Sequence, residues 1–125
     1  MSNPLILDYP VIDSLHEEMT ALLVAATSAP DNELLDTLTR LRLHTEHHFA
    51  QEESLMCEHH FAGLNEHRRE HQQLLAELNG MVKAVARGRY RLARAWLNDR
   101  LPEWFHFHVS NLDGLLVAYL NRQVG

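Results

Sequence analysis

The chain has 125 residues, 46% of them hydrophobic, a size that can bury one core of its own, so residues 1–125 are expected to form a single domain. Its 11 Lys and Arg stand against 17 Asp and Glu, a formal net charge of -6 with His neutral, which argues against a nucleic-acid surface or an anionic membrane as partner. The single cysteine, Cys57, can form no internal disulfide, no basic-then-apolar leader opens the chain, and no apolar run approaches the ~20 residues that span a bilayer. A cytoplasmic protein without membrane insertion is expected.

A first helix is predicted after Asp8-Tyr9-Pro10, with Asp8 as its cap and Pro10 in its first turn. Ile12, Leu15, Met19, Leu22, Leu23 and Ala26 form its apolar stripe, and His16 falls within it. Ser28-Ala29-Pro30-Asp31 breaks the pattern. Asp31 then caps a second helix running to about Cys57, whose inward positions read Leu34, Leu38, Leu41, Thr45, His48, Glu52 and Leu55. The pattern breaks again at Phe61-Ala62-Gly63. A third helix carries Leu64, His67, His71, Leu74, Leu75, Leu78, Val82 and Val85 and ends at Gly88.

The fourth helix places Leu97, Leu101, Trp104, Phe105, His108, Leu112, Leu115 and Tyr119 inward. Pro102 lies within it and removes the amide that would bond the Asn98 carbonyl, so a kink or a break is expected there. No segment alternates with period two, and the connections are short. The predicted fold is therefore all-α, an up-down-up-down antiparallel four-helix bundle. Arg87, Arg89, Arg91, Arg94 and Arg100 cluster around its last turn, and are read as a solvated turn and helix face.

Ten histidines in such a chain need a reason, because imidazole is costly to desolvate and is the commonest metal ligand. His16, His48 with Glu52, His67 with His71, and His108 with Asp113 each occupy a different helix at inward positions. Left unpaired in a core, seven polar groups would each cost roughly 1–3 kcal/mol, against a typical total stability of about 5–15 kcal/mol. A metal-free interaction module is thereby disfavoured. The i,i+4 pairs His48/Glu52 and His67/His71 each aim two ligand atoms at one point. His108 and Asp113, five apart, stand about 140° apart on an ideal helix and need a local distortion.

Carboxylates can bridge two ions, whereas an imidazole is a terminal ligand. Five imidazoles and two carboxylates therefore make a dinuclear site in the bundle core. With an added oxide or hydroxide bridge, the metal with three histidines is six-coordinate and the metal with two keeps an open position. The mixed donor set suits iron, with zinc, manganese and cobalt compatible on ligand type.

Ile12-Asp13-Ser14-Leu15-His16, His48-Phe49-Ala50-Gln51-Glu52-Glu53-Ser54-Leu55-Met56, His67-Arg68-Arg69-Glu70-His71, and Trp104 through His108 to Asp113 together resemble the hemerythrin family in its single-domain bacterial form. The resemblance covers nearly the whole chain in order. It implies an oxo- or hydroxo-bridged pair of Fe ions that binds O2 reversibly at one iron, with His67, His71 and His108 on the six-coordinate iron. His16 and His48 would hold the iron with the vacancy, and Glu52 and Asp113 would bridge. Such a protein serves oxygen delivery, storage or sensing rather than catalysis, with an unidentified electron donor or O2-consuming partner. The acidic surface favours a monomer.

Two residues before the last ligand, the family usually places an apolar side chain over the O2 pocket; this chain has His106. Two readings stay open at that position. Either the helix turns His106 to the surface, or His106 enters the pocket and shifts the protein toward a di-iron enzyme reacting with O2, peroxide or nitric oxide. Among the other histidines, His44 is expected beside the metal ligands without binding metal, His47 in solvent, and His59 and His60 at a helix end where a protonated ring favours the dipole. Cys57 is expected to be buried. Trp96, Trp104, Phe49 and Phe105 are expected in the core, with Trp104 and Phe49 near the metal.

Overall fold

The computed structural model describes Leu7 and residues 9–124. Helix α1 spans Pro10–Ser28, α2 Asp31–Glu58 and α3 Leu64–Ala86, and a fourth rod runs as α4 Tyr90–Ala95, a π turn Trp96–Arg100, α5 Leu101–His108, a second π turn Val109–Asp113 and α6 Gly114–Val124. No strand occurs among the described residues. α1 packs on α2, α2 on α3, and the fourth rod returns against α1. The bundle is the all-α antiparallel one predicted. Among the described residues no helix is long and apolar enough to cross a membrane.

The helix ends show how local sequence shapes the bundle. Asp8, expected as the cap of α1, lies outside the described residues. Tyr9 takes the N-cap position without a side-chain bond, and Asp13 reaches back to accept the amides of Leu7 at 2.7 Å and Tyr9 at 3.0 Å. Asp31, expected to cap α2, is instead its first residue, with Pro30 at the cap. Its carboxylate faces Arg94, which donates to it at 2.6 Å and to the Ala29 carbonyl at 2.8 Å. That cation satisfies a carbonyl left free at the end of α1 and ties the fourth rod to the α1–α2 turn.

α2 and α3 both end in the paired 6→1 and 5→2 bonds of a Schellman motif. After α3, the amides of Arg89 and Gly88 reach Ala84 and Val85, with Gly88 at φ 80°. After α2, those of Phe61 and His60 reach Met56 and Cys57, and His60 adopts φ 55°. A left-handed conformation costs a non-glycine residue roughly 1–2 kcal/mol. Phe61 packs against the cluster that contains Met56, which offsets that cost through the apolar contact usual in this motif.

Pro102 does not break the fourth rod. The turn before it widens into a π turn, with the Leu101 amide bonding the Trp96 carbonyl five residues back, and the helix continues through Pro102 in its first turn. The second π turn, where the Gly114 amide reaches Val109, inserts one residue into the helical period. The residues beyond it consequently face differently from the prediction. Leu115, expected inward, is 66% exposed, while Leu116, Val117 and Leu120 are buried.

Two apolar clusters result. The larger joins Met19, Leu34, Leu38, Leu41, Leu74 and Leu97 among others; the smaller holds Ile12, Met56, Leu116, Val117 and Leu120. Cys57 is exposed rather than buried, because Met56 takes the inward position at the end of α2. Trp96 is buried, and its indole donates to Glu77 at 2.9 Å, where Arg100 also binds.

If the second π turn is a one-residue insertion, deleting the exposed Ser110 should restore an ordinary α-helix and leave Leu116, Val117 and Leu120 inward. Inserting one alanine after Ser110 should rotate them about 100° and destabilise the fold by about 3 kcal/mol or more. Denaturant unfolding of both variants checks this; equal losses in the two would contradict it.

Candidate metal centre

Between these clusters lies a group of polar side chains that no solvent reaches. His16, His48, Glu52, His67, His71, His108 and Asp113 are each 0–2% exposed. α1 supplies His16, α2 His48 and Glu52, and α3 His67 and His71. The fourth rod brings His108 and Asp113, with the second π turn between them. That turn answers the geometric difficulty of their spacing: with bonds closing i to i+5, residues five apart stack along one face as residues four apart do on an α-helix. All seven residues singled out from the sequence are thus brought together.

Their arrangement is not a uniform tangle. Glu52 Oε1 lies 3.3 Å from His67 Nε2 and 3.2 Å from His71 Nε2, whereas its Oε2 lies 2.7 Å from His48 Nε2 and 3.5 Å from His16 Nε2. Asp113 divides the same way. Its Oδ1 lies 2.7 Å from His67 Nε2 and 3.3 Å from His108 Nε2, and its Oδ2 lies 2.8 Å from His16 Nε2. Two donor groups capable of holding a cation follow, Glu52 with His67, His71 and His108, and Glu52 with His16 and His48.

A cation fits this arrangement better than hydrogen bonding among the side chains does. Glu52 Oε1, Asp113 Oδ1 and His67 Nε2 are buried with no hydrogen-bond partner, although they lie close to one another. The atoms converge on common points but do not align with each other. His71 Nε2 and His108 Nε2 are 3.2 Å apart, and their outer nitrogens face carboxylates, which can only accept. The Nδ1 atoms therefore carry the protons, and two lone pairs confront each other in a dry interior unless a cation or an added proton lies between them.

The surroundings fix the rings. Phe49 stacks on His71 with centroids 3.7 Å apart and planes at 2°, Trp104 stacks on His108 at 4.5 Å and 10°, and Phe105 meets His16 edge-on at 5.6 Å. His44 packs edge-on against His48; burial and the neighbouring His48 lower its pKa, so it sits beside the centre as a neutral ring. His47 is exposed and paired with Gln51 at 3.2 Å.

His106 is exposed. Trp104, Phe105 and His108 take the inward positions of α5, and two residues before His108 the helix has turned about 200°. The reading in which His106 enters the pocket is overturned. Glu53 and Glu70 are the site residues that the sequence reading missed: Glu53 Oε2 lies 3.0 Å from His71 Nδ1 and Glu70 Oε1 3.4 Å from His108 Nδ1. Both sit within the quoted motifs, where their spacing to a histidine on another helix is invisible.

Charge in the metal-free protein balances locally. Burial raises the Glu52 carboxyl, but His108, His16, His48 and His67 outweigh it and hold it well below the usual range. Asp113 is likewise depressed: burial and Glu52 oppose ionisation, and His108 and His16 overcome them. Burial disfavours protonated His16 and His108, yet Asp113 and Glu52 lift them from 6.5 to about 9 and about 10.

The stability from the raised histidines is complete below 6.5 and lost as pH rises through about 9 to 10; that from the depressed carboxylates is present above about 4.5 and lost on acidification. Chelator-treated protein should therefore have its highest urea midpoint at about pH 5.5 and fall steadily to about pH 9.5. Metal-loaded protein should gain stability over the lower part of that range, because imidazolium protons must leave before metal binds. A metal-free midpoint that climbs with pH would contradict the charge assignment.

Comparison with known proteins agrees with the geometry. The hemerythrin HHE cation-binding domain matches residues 7–120. A bacteriohemerythrin from Ralstonia nicotianae is 33% identical over 111 residues, 89% of this chain and 80% of that protein. The buried donor cluster has its counterpart in a family defined by cation binding, and the chain belongs to the hemerythrin family.

Proposed function

We propose that this protein is a non-haem di-iron protein that binds O2 reversibly, in oxygen delivery, storage or sensing. In this reading His67, His71 and His108 hold one iron, His16 and His48 the other, and Glu52 and Asp113 bridge the two. The observation that carries it is the division of each carboxylate, one oxygen turned to each histidine group. A mononuclear site would draw both oxygens toward one point. The relative's name, bacteriohemerythrin, and the cation-binding description of the family support the same reading.

When bound, the iron pair supplies the reversible electron exchange with O2 that amino-acid side chains lack. The chain's own residues position and shield it. Five imidazoles leave the group with two histidines one donor short of the group with three, which is where a small molecule would find an open position. Phe105 against His16 and Phe49 against His48 keep that region apolar, limiting water and favouring a neutral diatomic ligand. Among the described residues, the groups that flank the ligand set are Glu53 and Glu70, which face His71 and His108, and His44, a neutral ring against His48. With His106 on the surface, binding rather than turnover is the function proposed. In this reading the protein acts as a monomer and works with an electron donor or an O2-consuming partner.

Iron-loaded, anaerobically reduced protein should be nearly colourless, gain charge-transfer bands in visible light on exposure to O2, and lose them when O2 is removed. Bands that decay irreversibly to an oxidised spectrum would replace the binding reading with an oxidase-like one. Absence of any band would reject the di-iron reading.

A further inference from the structure

The five imidazoles are not supported alike. His71 Nδ1 lies 3.0 Å from Glu53 Oε2, and the other Glu53 oxygen accepts from Arg68 Nε at 3.0 Å. His108 Nδ1 lies 3.4 Å from Glu70 Oε1. The two rings are essentially inaccessible, whereas Glu53 and Glu70 are 23% and 25% exposed, so each carboxylate spans from the dry centre toward the surface. His16 Nδ1 and His48 Nδ1, by contrast, are buried with no partner. The supported and unsupported rings also fall into different donor groups, His71 and His108 in one and His16 and His48 in the other.

A carboxylate behind a metal-binding imidazole fixes its tautomer and orientation and raises its basicity, and its loss typically weakens metal binding by about 10–100-fold. Phe49 and Trp104 hold the same two rings by their faces, so edge and plane are both constrained. His16 and His48 have no such acceptor at their outer nitrogen. The donor strength of the centre is therefore lopsided by construction.

Resting on the dinuclear reading above, we infer that Glu53 and Glu70 are positioning residues that make the His67/His71/His108 position the tighter and more electron-rich of the two metal positions. The His16/His48 position is the more labile one and loses its ion first. Arg68, held by Glu53, tempers the charge that Glu53 presents to His71.

Cobalt(II) tests this without O2. Wild-type protein loaded with two cobalt ions should release them to a chelator in two phases, fast from the His16/His48 position and slow from the other. Glu53→Gln combined with Glu70→Gln keeps side-chain size and an acceptor oxygen but removes the charge, and should accelerate the slow phase by about 10–100-fold while leaving the fast phase unchanged. Glu53→Leu combined with Glu70→Leu, which removes the acceptor oxygens as well, should accelerate it further. Glu46→Gln, at a solvent-facing ion pair with Arg42, serves as the control for lost surface charge and should change neither phase.

A second reading needs no variant. In the zinc-loaded wild type, the Nδ1–H proton resonances of His71 and His108 should lie downfield of those of His16 and His48. Equal shifts for the four, or a double variant whose slow phase is unchanged, or acceleration of both phases alike, would overturn the inference. Wild-type protein that takes up fewer than two cobalt ions would overturn the dinuclear reading and this inference with it; two ions and an unmoved slow phase would overturn this inference alone.

Discussion

Everything else in the structure is arranged around one electrostatic constraint: two carboxylates and five imidazoles share a volume that water does not enter. An isolated anion in such a place is prohibitively costly, and Glu52 and Asp113 sit close enough to oppose each other's ionisation. Only positive charge among the imidazole nitrogens resolves this, either as protons on His16 and His108 or as metal. The four rods converge because each carries part of that charge balance. The apolar clusters on either side supply the burial that makes a dry centre affordable.

The fourth rod shows how far the backbone departs from regularity to serve the centre. A π turn gives up the even α-helical period, and such turns are frequent at functional sites. Here the second π turn turns an awkward five-residue spacing into a stacked pair, so that His108 and Asp113 face the same point. The first absorbs the amide missing at Pro102. Between them α5 carries Trp104, Phe105 and His108 inward, so two aromatic walls of the centre and one of its histidines come from the same eight residues, with Phe49 of α2 as a third wall.

Much of this was legible in the chain, for a physical reason. Polar residues on an apolar stripe, such as His48 and Glu52 in the run from Leu34 to Leu55, are conspicuous because helical periodicity predicts a hydrophobe there. Four such interruptions on four helices led to the bundle and to the seven clustered side chains. What escaped were features that depend on tertiary geometry. An unbroken 3.6-residue period carried through 109–113 places Leu115 inward, and the π turn there has no sign in the local pattern. Asp31 reads as a cap because its local sequence cannot show Arg94, 63 residues away. Cys57 and Met56 differ by one helical step, and drift along a 28-residue helix decides between them. Glu53 and Glu70 act across helices, on His71 and His108, so neither had a signal within its own motif. The sequence leaves His106 open between surface and pocket, and the inward packing of Trp104 and Phe105 turns it to the surface.

The most direct test of the central claim is a crystal structure of iron-loaded protein with anomalous diffraction at the iron edge. Two peaks about 3.5–4 Å apart, one bounded by His67, His71 and His108 and the other by His16 and His48, with Glu52 and Asp113 between them, are expected. A single peak, or peaks outside this ring of seven side chains, would contradict the dinuclear centre on which the account of this protein rests.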